Sequence, residues 1–219
     1  MDGGCVEPWD VAPGGVPPDS VGQRRDAAAR TAARRAAPGR PPRHPEDRGD
    51  GERAWSLVVL APRDGLDAFA PDPAAAEPLI AAGTPHLYAG VIEGTGVVGP
   101  LVLPGATACA GCLALDRADA DAAWPRMLAQ WRSGRRRQVP ACDLALAATV
   151  AGLAAAHALA FLDGAEPALA GARWETSTPG FDWRRHRART HRSCPCGASE
   201  QVKGERASVD REPHETMAE

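Results

Sequence analysis

Four of the six cysteines fall into two tight pairs, Cys109-Ala110-Gly111-Cys112 and Cys194-Pro195-Cys196, separated by one long segment. Thiolates are soft ligands, and two close-spaced pairs brought together make the four-sulfur site that takes zinc. Cys-x-x-Cys alone also reads as a redox pair or as two unrelated buried thiols. The second pair moves the reading to structural zinc, with Cys109, Cys112, Cys194 and Cys196 as ligands of one ion tying two distant segments together. His191, three residues before Cys194, is near enough in sequence to stand in for a thiol.

Other residues carry weaker chemical signals. Gly94-Thr95-Gly96-Val97-Val98-Gly99 matches the dinucleotide-binding fingerprint letter for letter. That fingerprint needs a helix after the glycines, whose unpaired N–H groups receive the pyrophosphate. Here Pro100 and Pro104 bracket the following residues, so the stretch reads as a decoy that leads into a strand. Pro62, Arg63 and Asp64 follow an apolar run directly, at the strand end where open α/β sheets place ligands. Arg184, Arg185, Arg187, Arg189 and Arg192, with His186 and His191, form a basic stretch running into Cys194, without the interleaved aromatics of a nucleic-acid platform apart from Trp183. His86 reads as a core or edge histidine and His157 as packed or helix-capping. Trp55, Trp124, Trp131 and Trp174 read as packing residues.

The elements that must position these groups are legible in outline. A short strand is the most expected near Cys5-Val6-Glu7. Asp19-Ser20 offers an N-cap for an Ala/Arg helix over 21–37, whose Arg24, Arg25, Arg30, Arg34 and Arg35 read as a solvated face, with anion binding as the alternative. Residues 38–54 read as a mobile polar linker. Trp55 to Ala61 predicts a strand buried on both faces, the mark of a parallel sheet flanked by helices. Asp72-Pro73 opens a helix over 74–82, and strands follow at 86–92 and 97–103, giving a βαβ unit. Pro125 is expected to interrupt any helix over 113–131, and 132–138 reads as a basic loop. Cys142 opens an Ala-rich helix to Leu162, read as a buried core helix and not as a membrane span. Strands at 168–176 and 181–187, forming a hairpin around Pro179-Gly180, and a disordered tail at 199–219 complete the chain.

The 219 residues suit one domain with loose ends. A hydrophobic content of 44% and a net charge of −3 give no global reason to expect nucleic acid or membrane as partner. Residues 1–20 lack the apolar core of a secretory signal, so a reducing cytoplasmic location is expected, which favours metal over disulfide.

Taken in order, Leu57 to Asp64, His86 to Ile92 ahead of Gly99-Pro100-Leu101-Val102, Cys109-x-x-Cys112, the Ala-rich helix and Cys194-Pro195-Cys196-Gly197 resemble the ThiF/MoeB/HesA group, bacterial relatives of the ubiquitin-activating enzymes. The resemblance covers about residues 3–198. It implies an α/β, Rossmann-like, three-layer ThiF-type domain with a zinc clamp. It also implies adenylation, with ATP and Mg²⁺, of the C-terminal carboxylate of a ubiquitin-like or sulfur-carrier protein or peptide, in a homodimer or heterodimer. Carried over by position, the four cysteines are the zinc ligands, Asp64 the magnesium-binding aspartate and Arg25 the replacement for a phosphate-contacting lysine. Cys142 lies near a loop where some members carry a thiol that joins the carrier, against the reading of a buried or helix-capping cysteine.

The departures from the family pattern set a further expectation. Gly65 replaces the usual Asn after the aspartate, Ala12-Pro13-Gly14-Gly15 stands where an Asn-x-x-Arg-Gln signature is usual, and the first strand, Gly-rich turn and helix have no counterpart. The expectation is therefore a domain incomplete at its N-terminus, with an ATP site that needs a segment from a longer form or a partner. The alternative function is a non-catalytic, zinc-stabilised peptide- or subunit-binding module.

Overall fold

The computed structural model describes residues 4–12, 15–36, 39, 55–62, 65–133 and 142–198. The chain divides into two compact units, Met1–Arg53 and Ala54–Glu219. The linker at 38–54, apart from Gly39, and the tail at 199–219 lie outside the described residues, as does the basic loop beyond Ser133.

In the N-terminal unit, two 3-10 turns, Pro8–Asp10 and Pro18–Ser20, precede helix α1, Arg25–Ala36. The expected strand at Cys5 is a single antiparallel bridge to Arg24. Asp19-Ser20 lies inside the second turn and does not cap α1; Gly22, at φ +85°, separates the two. The solvated arginine face is in part an ion-pair face: Arg24 and Arg30 both reach Asp26, at 3.1 Å each.

The second unit is built on a five-stranded sheet in the order β1 Val58–Leu60, β2 His86–Ile92, β3 Thr95–Val102, β4 Ala172–Ser177 and β5 Arg184–Arg187. The βαβ expectation holds at β1 and β2, which pair in parallel. The rest of the sheet corrects it, since β2 through β5 are joined antiparallel. β1 is a short edge strand and Val59 is 45% exposed, so it is not buried on both faces. The β2–β3 register slips by one residue between Leu87 and Ala89, opposite Gly99 and Pro100, where a residue without an N–H does least harm to a ladder.

Helices cover both faces of the sheet. On one side Leu87, Ala89, Val98 and Leu101 pack against Leu146, Val150 and Ala154 of α6, Leu144–Leu162. On the other, Tyr88 and Val102 pack with Ala76 of α3, Pro73–Ala81, and with Ala110 and Cys112 of α4, Ala110–Ala120. The short α2, Gly65–Phe69, lies against β2 on this second face, and α5, Trp124–Ser133, follows α4. Alternation of side chains along β2 makes this possible, since successive residues point to opposite faces. Asp72 caps α3 by accepting the Ala74 N–H, and Asp143 caps α6 by accepting the Leu146 N–H at 2.8 Å.

Three expectations are corrected here. Pro125 stands in the first turn of α5, where its missing N–H has no partner to lose, so the 113–131 stretch holds two helices. α6 is not a buried helix: three residues at i, i+4 and i+8 are buried, while Leu159 is 60% exposed and Leu162 52%. Its length and composition would suffice to cross a membrane. Trp55 and Trp131 are exposed and do not pack in the core.

Gly94 to Gly99 is the turn into β3 and most of the strand itself, as its prolines predict. The glycines serve packing. A Cβ at Gly96 would stand 2.6 Å from Val150 Cγ2 and 2.9 Å from Leu146 Cδ1, so a glycine here lets α6 lie down on the sheet.

Candidate functional site

Cys109 is the residue preceding α4 and Cys112 lies in its first turn; Cys194 and Cys196 come from the turns after β5. The Cys109 side chain makes no capping bond to the helix and is free to face the other thiols. All four Sγ atoms lie within 4.8 Å of one another, and three of the four residues are buried. Cys109 and Cys194 are 3.6 Å apart, Cys112 and Cys196 3.6 Å, and Cys109 and Cys112 3.9 Å. Four sulfurs held tetrahedrally at a zinc–sulfur distance of about 2.3 Å stand about 3.8 Å from one another, so the donor set fits zinc. These separations are too long for a disulfide, and all six cysteines are free thiols.

The third residue of the Cys-Ala-Gly-Cys turn is fixed by the cluster. A Cβ at Gly111 would approach Cys194 Sγ to 2.9 Å and Cys109 Sγ to 3.5 Å. His191 is not a fifth candidate ligand: its Nδ1 accepts the Ser193 N–H, which places the ring proton on Nε2, and Nε2 donates to the Asp119 carboxylate at 3.1 Å. It orients the loop instead, and the Cys194 N–H donates to its carbonyl. The thiols are electrostatically unequal. The bond from the Cys109 thiol holds Cys112 down at about 4, while the same bond, with burial, pushes Cys109 well above the ordinary thiol range. Burial raises Cys194 to about 11. Ionising all four at this spacing requires a cation among them, which is what a divalent metal supplies.

A second constellation surrounds α2, on the same face of the sheet. Arg173 on β4 donates to the Phe69 carbonyl at 3.0 Å and to the Glu175 carboxylate at 2.9 Å, with its guanidinium 4.8 Å from the Phe69 ring centre. Arg132 on α5 donates to the Ala70 carbonyl at 3.0 Å and lies 3.8 Å from Asp67. Arg117 on α4 stacks between Phe69, at 4.5 Å, and Trp124, at 4.9 Å. Burial pushes the Arg117 guanidinium down to about 10 and also lowers Arg173. Two cations on consecutive carbonyls at a helix C-terminus complement the orphan acceptors there. The sequence reading missed all three arginines. They come from distant positions, and each taken alone has the composition of a surface residue; only the aromatic at 69 and the tryptophan at 124 hinted at a partner for them.

The other expected site residues are dispersed. Arg63 and Asp64 lie outside the described residues. Arg25 is held inside the N-terminal unit, donating to the Asp10 carboxylate at 3.2 Å and to the Cys5 carbonyl. Cys142 is exposed, and Asp143 is the residue that caps α6, so Cys142 is neither buried nor helix-capping. His86 is a core histidine with no exposed surface, its Nδ1 3.0 Å from the Thr84 carbonyl and its Nε2 without a partner among the described residues.

A mixed sheet covered on both faces, closed by a four-thiol cluster beside the helix after its third strand, defines an α/β domain of Rossmann-like architecture. Residues 1–198 match the ThiF family, and the chain belongs to it. Among solved structures it is similar to Escherichia coli MccB with ATP, at 15% identity and TM-score 0.62, over 89% of this chain and 57% of that one. It is also similar to the microcin C7 biosynthetic enzyme MccB in complex with N-formylated MccA, at 15% identity and TM-score 0.63, over 90% and 58%. A heterocyclase in complex with substrate and cofactor matches at 18% identity and TM-score 0.51, over 74% and 23%. The chain thus spans about 58% of the length of the MccB chains it matches, and at these identities the likeness is one of fold. No curated protein matches it by sequence.

Proposed function

We propose that the protein takes part in ATP-dependent activation of a carboxylate on a peptide or a ubiquitin-like or sulfur-carrier protein, with zinc as a structural clamp and a cytoplasmic location. The observation that carries this reading is the ThiF-family match over residues 1–198, joined to a fold shared with an MccB that holds ATP and another that holds its MccA peptide. When bound, ATP supplies the leaving group that makes a carboxylate electrophilic, and Mg²⁺ offsets the phosphate charge. Asp64 is the residue that would hold Mg²⁺. Arg25 would serve a phosphate by exchanging its present partner, Asp10, for it.

The chain's own residues then divide the work. Cys109, Cys112, Cys194 and Cys196 hold zinc and join the start of α4 to the end of the chain's last described loop. Arg132 and Arg173 are positioning residues. They pin the carbonyls of Ala70 and Phe69, and so fix the helix that begins one residue after Asp64. Cys142, exposed just ahead of α6, is the thiol that would take the activated acyl group. A second copy of the chain, or a related subunit, is a partner that α6 supports. No Asp, Glu, Lys or Arg lies between Leu144 and Leu162, and Leu144, Leu159 and Leu162 are exposed. A shift to monomer in sedimentation on Leu159→Glu is the expected result if α6 makes that interface.

The activation is tested by ATP–pyrophosphate exchange with peptides ending in a free acid or an amide. Exchange that needs the acid supports it. Binding of either peptide with no exchange and no nucleotide binding would favour the non-catalytic module, a reading for which the self-contained thiol cluster is also sufficient.

A further inference from the structure

β5 is the last strand of the sheet, and all four of its residues, Arg184, Arg185, His186 and Arg187, are exposed. The direction of its free backbone groups follows from the ladder. The Ala188 N–H donates inward to the Gly171 carbonyl at 2.9 Å, and Arg187 stands opposite Ala172. Backbone bonds alternate along an antiparallel strand, so Arg184 and His186 bond toward β4, while Arg185 and Arg187 turn their N–H and C=O groups outward. Among the described residues no strand pairs with that edge. Side chains alternate as well, placing Arg184 and His186 on one face and Arg185 and Arg187 on the other. His186 lies 3.9 Å from Glu175, whereas no carboxylate among the described residues is within ion-pair reach of the three arginines.

Charged edges normally keep strands from pairing with one another. A cationic edge repels a second cationic edge and accepts a strand of opposite charge. We propose that β5 is a docking edge for an extended acidic polypeptide segment, which adds to the sheet as a sixth strand on Arg185 and Arg187 and sets its carboxylates against the arginines on both faces. The proposal rests on the reading of a peptide or carrier as partner. It adds where the body of that partner is held. A polypeptide fits better than a nucleic acid for two reasons. The outward N–H and C=O groups repeat at strand spacing, and the four residues carry no Phe, Tyr or Trp as a stacking platform, their one ring being the His186 imidazole 3.9 Å from Glu175.

The test uses the full chain without ATP, so that its outcome is separate from that of pyrophosphate exchange. Fluorescence anisotropy would follow a labelled, end-blocked octapeptide of repeating Glu-Glu-Val-Val, which presents carboxylates on both faces of a strand, its lysine–valine counterpart, and a glutamate–valine version with four consecutive backbone nitrogens methylated. Expected results are salt-sensitive binding of the first and none of the second, with weakening of about tenfold or more for the methylated peptide and for Arg185→Glu with Arg187→Glu. Arg185→Lys with Arg187→Lys should retain binding to within about threefold, since the ladder and the charge survive. Equal binding of the methylated peptide or by the charge-reversed protein would overturn the proposal. So would failure of the acidic peptide to bind, or its displacement by a short oligodeoxythymidine that binds more tightly.

Discussion

The thiol cluster and the arginine clamp on α2 sit in the same unit, yet they are assembled in opposite ways. The cluster draws four identical side chains from two short stretches, 109–112 and 194–196, and the sulfurs answer one another. The clamp draws Arg117, Arg132 and Arg173 from two helices and a strand onto the end of a five-residue helix. One is a closed knot whose shape is set by the ligands themselves. The other is an open arrangement whose shape is borrowed from the sheet and from α4 and α5. Loss of one thiol should therefore undo the first outright, whereas the second should degrade arginine by arginine.

The largest effect is expected at the knot. Cys112→Ser, with a side chain that has no exposed surface, should drop bound zinc from one equivalent to near zero and lower the melting temperature by about 10 °C or more, read by metal analysis and calorimetry. A fall of only a degree or two would make the cluster an ornament on a fold that stands without it. Next in size is Arg173→Ala, which removes a buried cation with its two hydrogen bonds and ring contact and leaves Glu175 with only His186, 3.9 Å away. It should cost about 3 kcal/mol in urea denaturation while zinc content stays at one equivalent. A parallel loss of zinc would show the two regions to be one.

Smaller changes sharpen the comparison. Gly111→Ala forces a methyl to 2.9 Å from Cys194 Sγ and should destabilise by about 1–3 kcal/mol, with a matching loss of zinc affinity in a competition titration. His86, in the core, gives a pH signature. Burial lowers its pKa from 6.5, so as pH falls the unfolded chain takes up the proton before the folded one. Stability is complete above about 6.5 and declines below it until the folded pKa is reached, and His86→Leu should flatten that segment of the profile. The smallest effect is expected for Asp143→Ala, which removes one cap bond from α6 and should cost about 1 kcal/mol without touching either region.

The same contrast explains what could be read in advance. The cysteine pairs were legible because metal geometry needs particular residue types at short spacing, and the strands at 86–92 and 97–103 because β-branched runs there are bounded by glycine and proline. The false fingerprint at 94–99 could be rejected for a local reason, the prolines that follow it. The antiparallel pairing of β4 with β5 was legible as a hairpin around Pro179-Gly180, but that of β2 with β3 and β3 with β4 was not. β1, a parallel edge strand of three residues, has the same apolar composition as a buried central one, and no local signal distinguishes the two. α6 was misjudged because alanine counts as apolar in any window yet is content at the surface of a helix. The arginine clamp was invisible since its geometry exists only after β4 and α5 have been laid beside α2.

The central claim is that the thiol knot holds the fold while activation depends on the segment that the arginines fix. ATP–pyrophosphate exchange with a free-acid peptide, run on wild type and on Arg132→Met with zinc content and folding verified in both, tests it most directly. With the ATP site completed by a longer form or a partner subunit where the chain needs one, the account predicts exchange by the wild type and a loss of about tenfold or more in the rate for the variant, with zinc still bound at one equivalent. No exchange by the wild type, or an unchanged rate in the variant, would contradict it.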